Sequence, residues 1–553
     1  MLRTFLKRFR WPAILLGLWL ISLAGIHSIP LEDHEVFVLQ TTQEMRSRGD
    51  WVLPSFNYEP RLKKPPFNYW ATATLSHLDP FSDGVRVWHG RMVSLLAGLA
   101  MVLATYCAGR TLYGPATGKL ASLLLLGMQG YVSLLHSARP DFLYSAFCGL
   151  QLFAWIYAWK AEDGSARQRL HGWLGWIMAG LATLTKGPQG PAVFLAGMLI
   201  FLLSGPDRRR VLKVLRPFFG IGLLLLLVLP WWIMLRHQLA TMHVDIAQTQ
   251  LSGSLLKNLA GWREILSGYY LWTLLSLMAP ASLLLPFLAP RLWRCRREAG
   301  APTRIMLYAC AVLLVVFTLG GHYRKHYLLP LLPIFALFLA HAVHTGAYAG
   351  LQGRWKRILT GLFWTLAAFC LAMVFRAKDF GTLAGVALVA VPLFLLLRQE
   401  LELPEWTPGR GSTQLVTASA AVAILTIGFN AYLPKAVTRW RTAEQAFALH
   451  VGETLQPADL IVQWKSDTSV LPFYARRPVP VFGDLDALRT FFGQNHPAHR
   501  VYAVLPRTEL PVLSAALENR TLETIQRARH PEDDLVFVEL TGLPAGAGAA
   551  PNP

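Results

Sequence analysis

The chain carries a succession of apolar runs long enough to cross a bilayer, and nothing else in the sequence constrains its fold as strongly. They fall at residues 13–29, 92–108, 118–137, 142–159, 192–204, 217–235, 268–289, 304–320, 327–343, 358–375, 382–397 and 414–433. A spanning helix needs roughly 20 apolar residues, which most of these supply, some with their flanks. A shorter run at 171–185, HGWLGWIMAGLATLT, is bounded by a basic segment and by Lys186-Gly187-Pro188, and it brings the expectation to about thirteen spans. With 54% hydrophobic and only 15% charged residues, the 553-residue chain is too apolar for a soluble enzyme of this size.

The formal net charge of +20 would fit nucleic-acid binding if the basic residues formed a surface stripe. They gather instead between spans: Arg3, Lys7, Arg8 and Arg10 before the first; Arg208, Arg209 and Arg210 after the sixth; Arg291, Arg294, Arg296 and Arg297 after the eighth; Arg354, Lys356 and Arg357 after the tenth. All four clusters fall on the side of the N-terminus, as the positive-inside rule requires of cytoplasmic loops. The pattern is one of membrane topology, with membrane lipids and no nucleic acid as partners. The fold class expected is a polytopic α-helical membrane protein with the N-terminus cytoplasmic. An odd number of spans then puts residues 435–553 outside. That tail alternates strand-like runs (DLIVQW, VPVFG, VYAVLP, LVFVEL) with helix-like ones (TAEQAFALHVGETL, LDALRTFFGQ, ELPVLSAALEN), the pattern of a small α/β domain, and ends in a disordered LPAGAGAAPNP. The division expected is thus a membrane domain over 1–434, with a large first external loop at 30–90, and a soluble domain over 435–553.

Cysteines at 107, 148, 295, 310 and 370 lie in or beside spans, with no CxxC pair and no disulfide framework. The basic, apolar N-terminus lacks a small-x-small cleavage site before IPLEDHE and reads as a retained anchor.

Chemistry concentrates at the outer ends of the spans. Glu32-Asp33-His34-Glu35 follows the first span directly, and acids at a membrane surface are costly unless solvated or used; a solvated helix start with Asp33 as its cap is the plainer reading. VFVLQTTQEM after it is expected to form a short amphipathic helix in the interface. Lys63-Lys64-Pro65-Pro66 holds two ammonium groups at the bilayer edge on a chain that the prolines keep out of helix, which suits a phosphate or ordinary interfacial snorkelling. Cations recur at the other external turns: Arg139-Pro140-Asp141, Lys186-Gly187-Pro188, and His322-Tyr323-Arg324-Lys325-His326-Tyr327. External loops are normally poor in Lys and Arg, so this convergence points to an anionic ligand. Asp33, His34, Glu35 and His243 are weaker candidates for holding a divalent metal, since carboxylate oxygen and imidazole suit one.

In their order these motifs resemble the bacterial C-type glycosyltransferases of the protein O-mannosyltransferase and aminoarabinose (lipid A) transferase group. The resemblance runs the length of the chain: Asp33 with Glu35 for the acidic motif after the first span, Gly49–Pro54 for GDW-x-x-P, Lys64–Trp70 for K-P-P-x-x-Y-W, Arg139 with Asp141, Lys186 with Gly187, and Lys325 to Pro330 with Tyr327. His34 separates the two acids where that group has them adjacent, so Asp33 and Glu35 both stand as the catalytic candidate.

The resemblance implies a glycosyltransferase that uses a sugar on a polyprenyl (undecaprenyl) phosphate as donor and a lipid A, lipopolysaccharide-type or protein acceptor. Transfer would be a single displacement with the lipid phosphate leaving. A hydroxyl acceptor needs a general base, for which Asp33 or Glu35 is suited. The departing phosphate needs fixed positive charge, for which Lys64, Arg139, Lys186, Arg324 and Lys325 are candidates, with Asp141 and Tyr327 beside them. No nucleotide-sugar site is expected, since no Gly-rich phosphate loop occurs. A secondary transporter or flippase of a lipid-linked or anionic substrate is the rival reading; it calls for repeated halves and broken helices in mid-membrane. A non-catalytic scaffold is a third.

Overall fold

A computed structural model describes residues 2–23, 26–27, 29–204, 207–244, 266–286, 300–320, 323–344, 423, 439–494, 500–516, 522–529 and 534–540. The expected spans at 358–375 and 382–397, that at 414–433 except for residue 423, Cys295, Cys370, and the C-terminal LPAGAGAAPNP lie outside them.

Helix α1 (Leu2–Ile21) leads to α2 (Asp33–Arg48), a two-stranded hairpin of β1 (Ser55–Phe56) and β2 (Glu59–Pro60), and α3 (Phe67–Leu78). The long helices follow: α4 (Val87–Tyr113), α5 (Pro115–Gly127), α6 (Gln129–Leu135), α7 (Pro140–Lys160), α8 (Ala166–Lys186), α9 (Gln189–Ser204), the short basic α10 (Arg208–Leu215), α11 (Pro217–Thr241), α12 (Tyr269–Leu277), α13 (Ala301–Leu319), and α14 (Leu332–Ala342) behind a 3₁₀ turn over Lys325–Leu331. Among the described residues five helical segments are by themselves long and apolar enough to cross a membrane, and a sixth if α5 and α6, bent by 59° at their junction, count as one. The other described runs are helical but shorter or more charged: α9 has 16 residues, and α8 carries Arg167, Arg169 and Lys186.

The bundle packs as membrane helices do, through small residues that let backbones approach. A Cβ on Gly109 of α4 would sit 2.7 Å from the Gly118 Cα of α5, so that crossing is closed to any larger residue.

The expected interfacial helix exists as α2, but it is buried on most of its circumference, including Glu35, Gln40, Thr41, Thr42 and Glu44. Its start also differs from the expected cap. Glu32 occupies the N-cap, and its backbone N–H donates to Glu35 Oε2 at 3.1 Å. Gly49, at φ 65°, ends the helix in the left-handed conformation that glycine adopts without strain.

The C-terminal segment contains α15 (Arg439–Thr454), β3 (Leu460–Trp464), α16 (Val470–Ala475), β4 (Val481–Phe482), α17 (Leu485–Gln494), β5 (Val501–Pro506), α18 (Leu510–Ala516), β6 (Leu522–Arg529) and β7 (Asp534–Leu540). The strands form one sheet in the order β4-β3-β5-β7-β6, with β3 parallel to β4 and β5, and β7 antiparallel to β5 and β6. The sequence reading did not include β6: LETIQRAR mixes charged and apolar residues without a strand-like apolar run, and it stands at the edge of the sheet. This domain rests directly on the first loop, since one apolar cluster joins Leu31, Val36, Leu39, Val85 and Ala138 to Phe447, Val451, Leu471 and Val479.

Candidate active site

Four separated segments meet at the helix ends that face the C-terminal domain. Each arrives for a local reason. Pro140 opens α7 at its first position, where a missing N–H costs nothing, which puts Asp141 in the first turn near the positive end of the helix dipole. Lys186 is the last residue of α8, at the negative end, and Gly187 at φ 113° turns the chain away. Arg324 precedes the 3₁₀ turn, and Arg61, Lys63 and Lys64 come off β2 on a stretch that Pro65 and Pro66 stop from joining α3 early. Above them lies α2, which presents His34, Phe37 and Val38, spaced i, i+3 and i+4, to the same space.

Together they enclose a cavity of about 430 Å³ lined, among the described residues, by six cationic residues, Arg61, Lys63, Lys64, Arg139, Lys186 and Arg324, and by one carboxylate, Asp141. Asp141, 4% exposed, organises the floor. Lys186 donates to its Oδ1, Arg139 Nε donates to its Oδ2 at 3.0 Å, and His326 Nε2 lies 3.4 Å away. Lys186 Nζ also sits 4.7 Å from the Tyr327 ring centroid, a cation–π contact. Arg61 lies over Phe37 at 4.3 Å. Burial, helped by the neighbouring Lys186, Arg324 and Arg61 and opposed by Asp141, brings the Lys64 ammonium down from 10.5 to about 8. Burial and the Arg139 and Arg324 charges likewise lower the His34 pKa, against Asp141 and Asp33. The excess of fixed positive charge in a partly desolvated space is what a phosphate would neutralise.

Lys64, Arg139, Asp141, Lys186, Arg324 and Tyr327 are thus brought to one cavity. Lys325 is exposed and does not line it. Asp33 sits at the exposed first turn of α2, accepting from Ser469 Oγ of the C-terminal domain at 3.0 Å. Glu35 turns the other way. It is 2% exposed, and Arg91, fully buried in α4, donates to it through Nε and Nη2, both at 3.0 Å. The Ala138 N–H adds a third bond at 2.8 Å, and Arg91 reaches on to the Ile26 carbonyl at 2.8 Å. The Glu35 carboxylate therefore ties the end of α1, the start of α7 and α4 to α2, and none of its oxygens faces the cavity lining. His243 stands in an exposed turn after α11 at φ 57°. Among the described residues no three His, Cys, Asp or Glu side chains group as metal ligands. The sequence reading named His326 within a turn but gave it no role, and it did not single out Arg61 or Arg91. An arginine close to the start of the long apolar run of α4 was a usable signal for Arg91, since a charge at membrane depth needs a partner.

Comparison with known proteins bears on this arrangement. The family described as dolichyl-phosphate-mannose-protein mannosyltransferase matches residues 63–234, the stretch from Lys63 into α11. An undecaprenyl phosphate-α-4-amino-4-deoxy-L-arabinose arabinosyl transferase of Pseudomonas fluorescens (strain Pf0-1) is 27% identical over 526 residues, 89% of this chain and 88% of that one. The corresponding Pseudomonas aeruginosa (PAO1) transferase is 30% identical over 59% of each chain. An uncharacterized protein of Aquifex aeolicus is 27% identical over 206 residues, 37% of this chain and 39% of its own length. Along most of its length the chain is similar to membrane glycosyltransferases of the protein O-mannosyltransferase and aminoarabinose transferase group. The crystal structure of ArnT from Cupriavidus metallidurans bound to undecaprenyl phosphate superimposes with a TM-score of 0.69, covering 96% of this chain and 97% of that one at 20% identity, which establishes the shared fold. An archaeal oligosaccharyltransferase, AglB from Archaeoglobus fulgidus, shares it more distantly, with a TM-score of 0.51. The shared fold is that of a polytopic helical membrane protein with a periplasmic α/β domain.

Proposed function

We propose that the chain transfers a sugar from undecaprenyl phosphate to a lipid A or lipopolysaccharide-type acceptor at the periplasmic face of the inner membrane, with the N-terminus cytoplasmic. The observation that carries the reading is the cavity itself: six cations and one carboxylate, at the helix ends beside the periplasmic domain. The relatives whose names specify an undecaprenyl phosphate-linked aminoarabinose donor support the donor class.

In this reading the acceptor oxygen attacks the anomeric carbon as the bond from that carbon to the phosphate oxygen breaks, and undecaprenyl phosphate leaves with the bonding electron pair. Lys64, Arg61, Lys186, Arg139 and Arg324 hold the phosphate and stabilise the charge that grows on it, worth most where water is scarce. Asp141 keeps Lys186 and Arg139 aimed at it. Of the two candidate acids, Asp33 is assigned the acceptor role. It lies one helical turn before Phe37, which lines the cavity, whereas Glu35 sits roughly 200° further round the helix and is consumed by Arg91. Asp33 removes the proton from a hydroxyl acceptor, or orients an acceptor already ionised.

The test is binding. Purified protein in nanodiscs is offered undecaprenyl phosphate and undecaprenol. Retention of the phosphate alone, abolished in Lys186→Met, is the expected outcome. Equal binding of both lipids would remove the phosphate site from the account.

A further inference from the structure

The segment carrying Arg61, Lys63 and Lys64 is only four residues long between Pro60 and Pro65, so wherever the β1–β2 hairpin sits, those cations must follow. That hairpin has two residue pairs, Ser55 with Pro60 and Phe56 with Glu59, and Asn57 and Tyr58 turn it at φ 56° and 66°. Positive φ at both central residues is the turn whose twist suits a hairpin, and asparagine tolerates it. Two pairs do not make a self-supporting hairpin in water.

Two other groups hold it. From α2, Glu44, 1% exposed, accepts from Ser55 Oγ at 2.6 Å, the Asn57 N–H at 2.7 Å, the Tyr58 N–H at 3.0 Å and Gln40 Nε2 at 2.8 Å. From the C-terminal domain, Val479 pairs with the Asn57 side chain as a strand neighbour would: Asn57 Nδ2 donates to the Val479 carbonyl at 2.9 Å, and the Val479 N–H donates to Asn57 Oδ1 at 2.6 Å. One wall of the hairpin also reaches the cavity, since Phe56 packs edge-on against Phe37 with centroids 4.9 Å apart, and Arg61 lies on the other contact of that ring.

We propose that Asn57 is a positioning residue for the phosphate site, through which the C-terminal domain fixes the segment carrying Arg61, Lys63 and Lys64. The inference rests on the cavity being the undecaprenyl phosphate site. It gives the domain a task that its distance from the cavity floor would not suggest: it holds the tip of a lever whose other end is Lys64. The charged groups bearing on Lys64 come from every element around it, namely Lys186 from α8, Asp141 from α7, Arg324 before the 3₁₀ turn and Arg61 on its own segment. Releasing the lever would let the ammonium drift from these toward water.

Asn57→Gly removes the side-chain pairing while leaving the left-handed turn unstrained, and Asn57→Asp keeps the acceptor half. Both are made in the full chain, in nanodiscs, and undecaprenyl phosphate binding is followed from about pH 7.5, where the monoester is already almost fully ionised, to about 9.5, across the range in which a lysine near 8 gives up its proton. Misplacement by about 1 Å can cost on the order of a hundredfold in a positioned site, so the Gly variant is expected to bind about tenfold more weakly or worse. Its alkaline loss of binding should also move to higher pH, with Asn57→Asp in between. A merely structural role would lower the folded fraction and leave both the affinity of the folded protein and the position of the alkaline limb unchanged, and that result overturns the proposal. If Asn57→Gly does not fold, Asn57→Asp decides: a smaller shift in the same direction supports it, and wild-type behaviour overturns it. Wild-type protein that does not bind undecaprenyl phosphate at all refutes the functional reading and this inference with it, whereas wild-type binding unaltered by either variant refutes the inference alone.

Discussion

Replacing Lys64 by glutamine removes one of six cations without a large change of shape, and its effect can be worked out from the cavity. An ammonium about 4 Å from a phosphate charge at an effective dielectric of about 20 contributes roughly 4 kcal/mol of attraction. Part of that is offset by stripping water from the ammonium, and the free protein already shows that cost, since burial brings Lys64 from 10.5 to about 8. With five cations remaining, a loss of about 2–3 kcal/mol is expected, within the usual range for truncating one member of a desolvated charge pair, or about 30- to 150-fold in donor affinity. The sign with pH follows. In the free protein Lys64 gives up its proton as pH rises through about 8, and a bound phosphate restores it. Binding should therefore be strongest below pH 8 and fall by up to about tenfold per unit above it. Lys64→Gln should lack that fall, and Lys64→Arg should move it beyond the measurable range. A sugar-linked phosphodiester donor is the right probe, because its phosphate does not titrate there. Isothermal titration in nanodiscs at fixed ionic strength measures both quantities. A Gln variant within threefold of wild type, still weakening above pH 8, would refute the reasoning.

Other perturbations separate the residues by role. Glu35→Gln leaves buried Arg91 without its counter-charge, so thermal unfolding in detergent should show a loss of about 3–5 kcal/mol, while turnover per folded molecule stays near wild type. Asp33→Asn should lower kcat by about 10²- to 10⁴-fold with donor affinity unchanged, read from single-turnover transfer to a hydroxyl acceptor. Asp141→Asn frees Lys186 and Arg139 from their shared partner, and kcat should fall by about 10²-fold with the fold retained by circular dichroism.

Much of this organisation is legible in the residues. Apolar runs locate the helices because each must cross hydrocarbon, and Lys64, Arg139, Lys186 and Arg324 stand out because cations are unusual at external turns. The spacing of Asp33 and Glu35 does not say which one faces the substrate. Two positions along a helix point to nearly opposite sides, and the sides are assigned only when α4 supplies Arg91 and α7 supplies the Ala138 N–H, from 56 and 103 residues away. Lys325 looks equivalent to Arg324 in sequence, yet the 3₁₀ turn that begins there points the two apart. Arg61 was hidden for the opposite reason: it precedes a more conspicuous lysine pair, and only the hairpin brings it over Phe37. The hold of Val479 on Asn57 spans 422 residues, and no local pattern could carry it.

The central claim is that the cavity moves a sugar off a lipid phosphate. Its most direct test is mass spectrometry of both lipids after purified protein is reconstituted with an undecaprenyl phosphate-linked sugar and a lipid A-type acceptor. The account predicts acceptor heavier by one sugar residue and an equal amount of undecaprenyl phosphate released, both lost in Lys186→Met. Donor that stays intact, or that crosses the membrane with its sugar still attached, would contradict it.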